Sequence, residues 1–413
     1  MKLKRLTINK RAFDTFAVII AVLGMGSLYF QVLRMPLMAA LEIGVSVIYL
    51  ILHRGKFPKH NFFVYSGITL LFVLTSILNY KNGFYINDLI IWIVNWFFVS
   101  SLQASMKFDS FVKDYVKVMT IEALISLICF LWADILGGSL PFMTTGSNIA
   151  NSYYLTPYFT RGWGNIPYFH RNAGCFTEPG AHQIFLNFAL MFLLSDDKHL
   201  GFKRTNYISA VIILMVAIIS AQSTTGYMCL AVVLAALLVK KDNENQNKHS
   251  RKWIRVVAVL LMVFLFIVES QTRVVESKLT GISTGQGSGR TRYNDTVYGY
   301  YIASISPIIG HGMYMSNMRS LLLQYGIINI SNGMASFAIR AGFIITFGWL
   351  VAIYIGMRKR YNNNGALFVL LMWLLFFLCV NAEGLFLNIL FLCFIGKWQG
   401  EKATNWIGAV RHE

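Results

Sequence analysis

Four ionisable side chains crowd the stretch HRNAGCFTEPGAHQ, residues 170–183: His170, Arg171, Glu178 and His182. An arginine holds an oxyanion through a planar fork of N–H donors. A glutamate supplies an oxygen able to take a proton. Pro179 lacks an N–H and so suits the first position of a helix, which puts Glu178 at its cap. The positive end of the helix dipole then favours a phosphate or carboxylate at that point. Arg171, seven residues earlier, can fold back to the same place. One reading is an anion site with a proton acceptor beside it. The other is that Glu178 caps the helix and pairs with Arg171. His182, four residues on from Glu178, either orients it or is a histidine facing the helix bundle.

Further candidates follow later in the chain. STGQGSGRTRYNDTVYGYY, residues 283–301, leads through three glycines into Arg290 and Arg292. Glycines let backbone approach an anion closely. No Lys-Ser/Thr pair follows, so this is not a nucleotide-binding phosphate loop. His311 lies between glycines in IIGHGM, and Asn332 lies in SNGMASFAIRAGF ahead of Arg340. An arginine inside an apolar run is costly unless paired or facing a polar cavity, so Arg340 marks a site, with Glu383 a candidate partner. Upstream, residues 137–177 hold Arg161 and a set of aromatics, among them Tyr153, Tyr154, Tyr158, Phe159 and Trp163. These rings either anchor the chain at a membrane interface or stack on sugar rings beside an anion.

The elements that must position these groups are apolar. The 413 residues are 56% hydrophobic and 13% charged, with a mean hydropathy of +0.56; soluble chains carry about a quarter charged residues. An all-α polytopic integral membrane protein is expected, a single membrane domain over residues 1–413. Twelve apolar runs read as candidate spans, the sixth, eighth and last of them short: 13–33, 35–53, 62–80, 86–103, 114–136, 180–195, 206–222, 224–239, 253–270, 335–357, 366–382 and 385–398. With the N-terminus cytoplasmic, 26 of the 36 basic residues fall on inside segments or at the inner ends of the spans, alternating in register with them. Both termini are then cytoplasmic, and the basic N-terminus MKLKRLTINKR leads into a retained first span. The net charge of +18 is explained by this topology, and no nucleic-acid partner is expected. The two long outer segments, 137–179 and 271–334, hold most of the candidate residues, and long structured loops carry sites. No carboxylate cluster suggests a metal, and no cofactor fingerprint is present. The five cysteines have no metal-site spacing and read as apolar packing.

An ordered series of short motifs resembles the bacterial O-antigen polymerase and ligase superfamily, the Wzy-type polysaccharide polymerases. The motifs are R-N-A-G-C-F-T-E-P-G at 171–180, S-T-T-G at 223–226, S-G-R at 288–290, G-H-G at 310–312 and S-N at 331–332. They cover most of residues 160–345. The resemblance implies a membrane glycosyltransferase of the C type in the bacterial plasma membrane, with its active site outside the cytoplasm. It implies undecaprenyl-diphosphate-linked glycans as donor and acceptor, with neither nucleotide sugar nor metal. Membrane lipids, a chain-length regulator and a flippase are the implied partners. Ligase members typically show Asn-Pro where this chain has Glu178-Pro179, which leans toward a polymerase. They also carry a histidine beside the asparagine of the last motif, where this chain has Ser331-Asn332-Gly333, and this shifts weight to Glu178 as base. Arg171 and Arg290 are expected to meet on one diphosphate. Arg161, His170, His182, Arg292, His311, Asn332 and Arg340 are expected to bind sugars or the second lipid-linked substrate. The alternatives are a ligase, differing only in acceptor, and a flippase for the same lipids.

Overall fold

The computed structural model describes residues 10–27, 34–52, 59–79, 86–136, 142–144, 151–154, 159–161, 171–176, 178–196, 199–241, 287–313, 315–325, 327 and 330–401. Five helices precede the first long connection: α1 (Lys10–Gly24), α2 (Arg34–Leu52), α3 (Lys59–Leu78), α4 (Ile86–Ser105) and α5 (Phe108–Phe130), the last extended by a π turn at Leu131–Ile135. Within that connection β1 (Phe142–Thr144), β2 (Asn151–Tyr154) and β3 (Phe159–Arg161) pair as an antiparallel meander. Then come α6 (Pro179–Ser195), α7 (Arg204–Ser220), α8 (Thr224–Val239), α9 (Gly287–Ile305), α10 (Met315–Gln324), α11 (Gly333–Tyr361), α12 (Ala366–Ala382) and the single turn α13 (Ile389–Leu392).

The described residues are therefore almost wholly helical, and several of the helices are of membrane type. By length and composition α3 and α11 suffice to cross a membrane, and α4 with α5, bent by 114° at their junction, makes a third if that pair counts as one span. Five shorter apolar helices accompany them, at Pro36–Leu52, Pro179–Ser195, Arg204–Ser220, Thr224–Val239 and Ala366–Ala382. Helices stand over ten of the twelve apolar runs read from sequence. The ninth run, 253–270, lies outside the described residues.

The twelfth run departs from expectation, because only Ile389–Leu392 of 385–398 is helical. Its backbone is satisfied from outside instead, as buried carbonyls require. Tyr65 Oη donates to the carbonyls of Leu392 and Ile395, both at 3.0 Å. Gln103 Nε2 donates to Ile395 at 2.5 Å, and Asn61 Nδ2 to Lys397 at 2.9 Å. Arg360 donates to Phe394 and Gly396.

Helix ends gather at two poles. At one, the ends of α1, α7 and α12 meet the starts of α6, α9 and α11: Ser27 bridges Phe176, Arg171 bonds Ala221, Arg292 pairs with Glu383 and Asn332 bonds Asn381. At the other, Asn61 bonds Gln103, Phe108 packs on Phe192, Tyr361 and Trp398, and Asn364 bonds Ser195. This second pole carries Lys59, Lys107, Lys113, Lys203, Lys240, Arg358, Lys359 and Lys397.

One helix is broken. Gly342 in α11 has φ 81° and ψ 165°. Phe337 and Trp349 flank the break, twelve residues apart, which in a straight helix is about 18 Å. Their ring centroids are only 6.4 Å apart, and both rings lie against Phe386. The short first half of α11 joins α9 and α10 around a small core of its own, including Ile302, Leu322, Ile330 and Ala338.

Candidate functional site

The site is built on segment 171–176. Asn172 ties it down: its N–H donates to the Ser220 carbonyl at 3.0 Å, and its Nδ2 to the hydroxyls of Ser126 and Ser220, both at 3.1 Å. Glu122 of α5 accepts from the Cys175 N–H at 2.9 Å through one oxygen and meets His182 Nε2 at 2.9 Å through the other. His182 Nδ1 lies 3.3 Å from the Asn172 carbonyl. Phe176 stacks on His182 and Phe185. Gly174 has φ +53°, and a Cβ there would strike both Glu122 and the His182 ring, so only glycine fits. The RNAGCF run is thus a clamp that fixes Arg171 at its edge.

Of the two readings open for His182, orienting Glu178 or facing the helix bundle, the second holds: the ring is buried against Glu122. Glu178 is the extended N-cap of α6, with φ −158° and ψ 156°, so the four-residue helical spacing does not apply across it. Glu178 thus holds the cap position expected from Pro179, but its side chain makes no cap hydrogen bond.

Glu178 bears on a second carboxyl, that of Glu383 at the end of α12, and raises its pKa. Glu383 packs so tightly on Gly180, in the first turn of α6, that a Cβ at 180 would meet its Oε1. Arg292 Nη2 lies 3.5 Å from Glu383 Oε1, and Arg292 Nη1 donates to the Ala382 carbonyl at 3.4 Å. Arg171 donates through Nε to the Ala221 carbonyl at 3.1 Å. Its charge is felt by Glu178, Arg292 and Glu383 together. Burial pushes the Arg171 pKa down, opposed by the two carboxyls. Burial, and then the neighbouring Glu178, push Glu383 up to about 8, against the pull of Arg292. Two guanidiniums and two carboxyls therefore share one edge of the bundle. Such a set can hold a phosphate-type anion and take up a proton.

The remaining candidates divide. Arg290 lies in the first turn of α9, two residues before Arg292; the described guanidinium that reaches the cluster from this segment is that of Arg292. Arg161 ends the meander, its backbone paired with Asn151. His170 lies outside the described residues, as do Tyr158 and Trp163 of the aromatic set. Asn332 caps α11 by accepting from the Ala335 N–H, and its Nδ2 bonds Thr296 and Asn381. Beside it Asp295 accepts from the Ser331 N–H and hydroxyl. The G-H-G run serves the break in α11. His311 and Gly312 N–H groups donate to the freed carbonyls of Ile339 and Arg340, and Phe343 N–H donates to Pro307. His311 Nε2 lies 3.1 Å from the Ile302 carbonyl. Arg340 Nε donates to Ser336 one turn back. Glu383, proposed from sequence as the partner of Arg340, instead pairs with Arg292. S-T-T-G turns the chain from α7 into α8, with Ser223 accepting from Gly226 N–H, and exposes the Ala221 carbonyl that holds Arg171.

Glu122 and Asn381 had no role from sequence. Glu122 lies in an apolar run with a glutamate's usual cost there, which was the one signal it gave. Among the described residues no group of three His, Cys, Asp or Glu side chains is placed to hold a metal. A helical, membrane-type protein with a mixed arginine–carboxyl cluster at one pole is the class this defines. Comparison with protein-family models, with curated proteins and with solved structures finds no match.

Proposed function

We propose that the protein is a membrane glycosyltransferase of the polysaccharide-polymerase kind, joining undecaprenyl-diphosphate-linked repeat units outside the plasma membrane. In this reading about twelve segments cross the bilayer, with both termini inside. The lysine- and arginine-rich pole faces the cytoplasm, where positive charge is favoured. The arginine–carboxyl pole then faces out.

One observation carries the reading: Arg171 and Arg292, from separate segments, bear on the same carboxyl pair. A growing glycan on its diphosphate lipid is the donor. A hydroxyl of the incoming repeat attacks sugar C1 from the face opposite the diphosphate, so the anomeric centre inverts. The C1–oxygen bond to the diphosphate breaks, and the leaving group carries away the electron pair. Arg171 and Arg292 stabilise that charge, and Arg290 keeps the diphosphate-binding role expected of it from sequence. One well-aimed donor of this kind is worth about 3–4 kcal/mol. Glu178 takes the hydroxyl proton, a role worth about 10²–10⁴ in rate.

The test is elongation in detergent, with purified protein and lipid-linked repeat units. Polymer ladders are expected without a sealed membrane. Absence of any elongation would overturn the reading. Transfer only to a different acceptor would make it a ligase, and lipid translocation without new bonds would make it a flippase.

A further inference from the structure

We propose that Glu383 is a positioning residue of this site, hydrogen-bonded to Glu178 so that the two carboxyls hold a single proton between them. The catalytic consequence rests on Glu178 being the proton acceptor of the polymerase reading; the shared proton does not.

Glu383 reaches the site from α12 and is held from two sides. Gly180 leaves room for its carboxyl against the first turn of α6, and Arg292 of α9 lies across it. Gly333, at the start of α11, packs against the backbone carbonyl of Glu383, where a Cβ would clash, so the chain cannot shift there. Two carboxyls in hydrogen-bond contact cannot both be ionised without strong repulsion, so one keeps a proton. The charged and titratable groups facing Glu383 are Glu178, Arg292 and, one turn down α12, Cys379; Arg171 bears on it from segment 171–176. Glu383 is the more enclosed of the pair and holds the proton.

The arrangement does two things. The protonated Glu383 donates to Glu178 and fixes it in one orientation toward the acceptor hydroxyl. It also leaves the cluster with two guanidinium charges against one carboxylate, a net positive surface for a diphosphate. During transfer the acceptor proton passes to Glu178 as the acceptor oxygen bonds C1 and the diphosphate departs; Glu383 keeps its own proton throughout.

Infrared titration of the purified protein tests the proton directly. Wild type should show a protonated-carboxyl band that is lost as pH rises through about 8. Glu383→Gln should lose the Glu383 part of that absorption, since other buried carboxyls such as Glu42 contribute equally to both proteins, and in Glu178→Gln that part should titrate away at higher acidity, because the repelling neighbour is gone. Absorption unchanged in Glu383→Gln, or a Glu383 part that does not move in Glu178→Gln, overturns the proposal. Elongation then tests the positioning. Glu383→Ala should lower kcat about 10- to 100-fold, the worth of a hydrogen bond to a charged group, with KM little changed. Glu383→Gln, which keeps a donor, should recover about tenfold of that loss and show no fall in rate above pH 8. Equal loss in both variants would show that the donor is not what matters. If wild type itself does not elongate, the polymerase reading fails, while the infrared titration still decides the shared proton.

Discussion

His182 Nε2 stands 2.9 Å from Glu122 Oε2, and this pair underlies the segment that carries Arg171. His182 is fully buried and Glu122 nearly so. Removing one member of such a pair leaves the other polar group stranded in an apolar setting. His182→Ala or Glu122→Ala should therefore destabilise the protein by about 3–5 kcal/mol, read as a lower unfolding temperature in detergent. In a double-mutant cycle the two losses should be far from additive. Additive losses would mean that the two residues act separately.

Arg171 and Arg292 are each expected to be required for elongation. Arg171→Ala or Arg292→Ala should lower turnover by about 10²–10³, with the protein still present in membranes and single repeat units accumulating. Lysine should restore little at Arg171, because its Nε bond to the Ala221 carbonyl aims the fork. Normal polymer length in either variant would take that residue out of the site. Glu178→Gln should stop turnover while lipid-linked substrate still binds.

Stability should depend on pH through Glu383. In the folded protein this carboxyl titrates near 8 rather than at the ordinary 4.5. The folded form therefore holds more protons between these values, and stability declines as pH rises through that window and levels off above about 8. Unfolding temperatures compared at pH 6 and pH 9 should show the decline in wild type and a smaller one in Glu383→Gln. An identical decline in both would assign it to another group.

The break in α11 depends on two glycines at positive φ, Gly310 at 64° and Gly342 at 81°. A Cβ at Gly310 would meet the Arg340 carbonyl, and one at Gly342 the Ile308 carbonyl. Gly342→Ala or Gly310→Ala should cost about 1–3 kcal/mol from backbone strain alone, seen as lower yield of folded protein and a lower unfolding temperature. Wild-type behaviour in both would mean that the helix can close the gap.

The apolar runs were legible because a span needs only length and composition, and ten of them are helices. Pro179 marked the start of α6 for a local reason, its missing N–H. What local reading could not supply was pairing through space. His182 looked like a neighbour of Glu178, yet the cap residue is extended and the histidine turns to a glutamate sixty positions earlier. Glu383 stood out as an acid between apolar runs, but its guanidinium is Arg292 rather than Arg340. The G-H-G run drew attention for its histidine, while nothing in the sequence told why the glycines flank it: two backbones nearly touch there. The twelfth run failed for the opposite reason. Its composition suits a helix, and partners on α3, α4 and α11 take over its carbonyls.

That last segment has a consequence for assembly. An ordinary span can form its own hydrogen bonds as soon as it leaves the ribosome, whereas residues 385–398 depend on Tyr65, Asn61, Gln103 and Arg360 already standing around them. It is thus the keystone of the bundle, seated after its surroundings and fastened below by Glu401 to Lys359 and Arg360. Glu383 ends α12 just ahead of this stretch, its carbonyl accepting from the Leu385 N–H, so the segment that locks the bundle also steadies the backbone under the second carboxyl of the site.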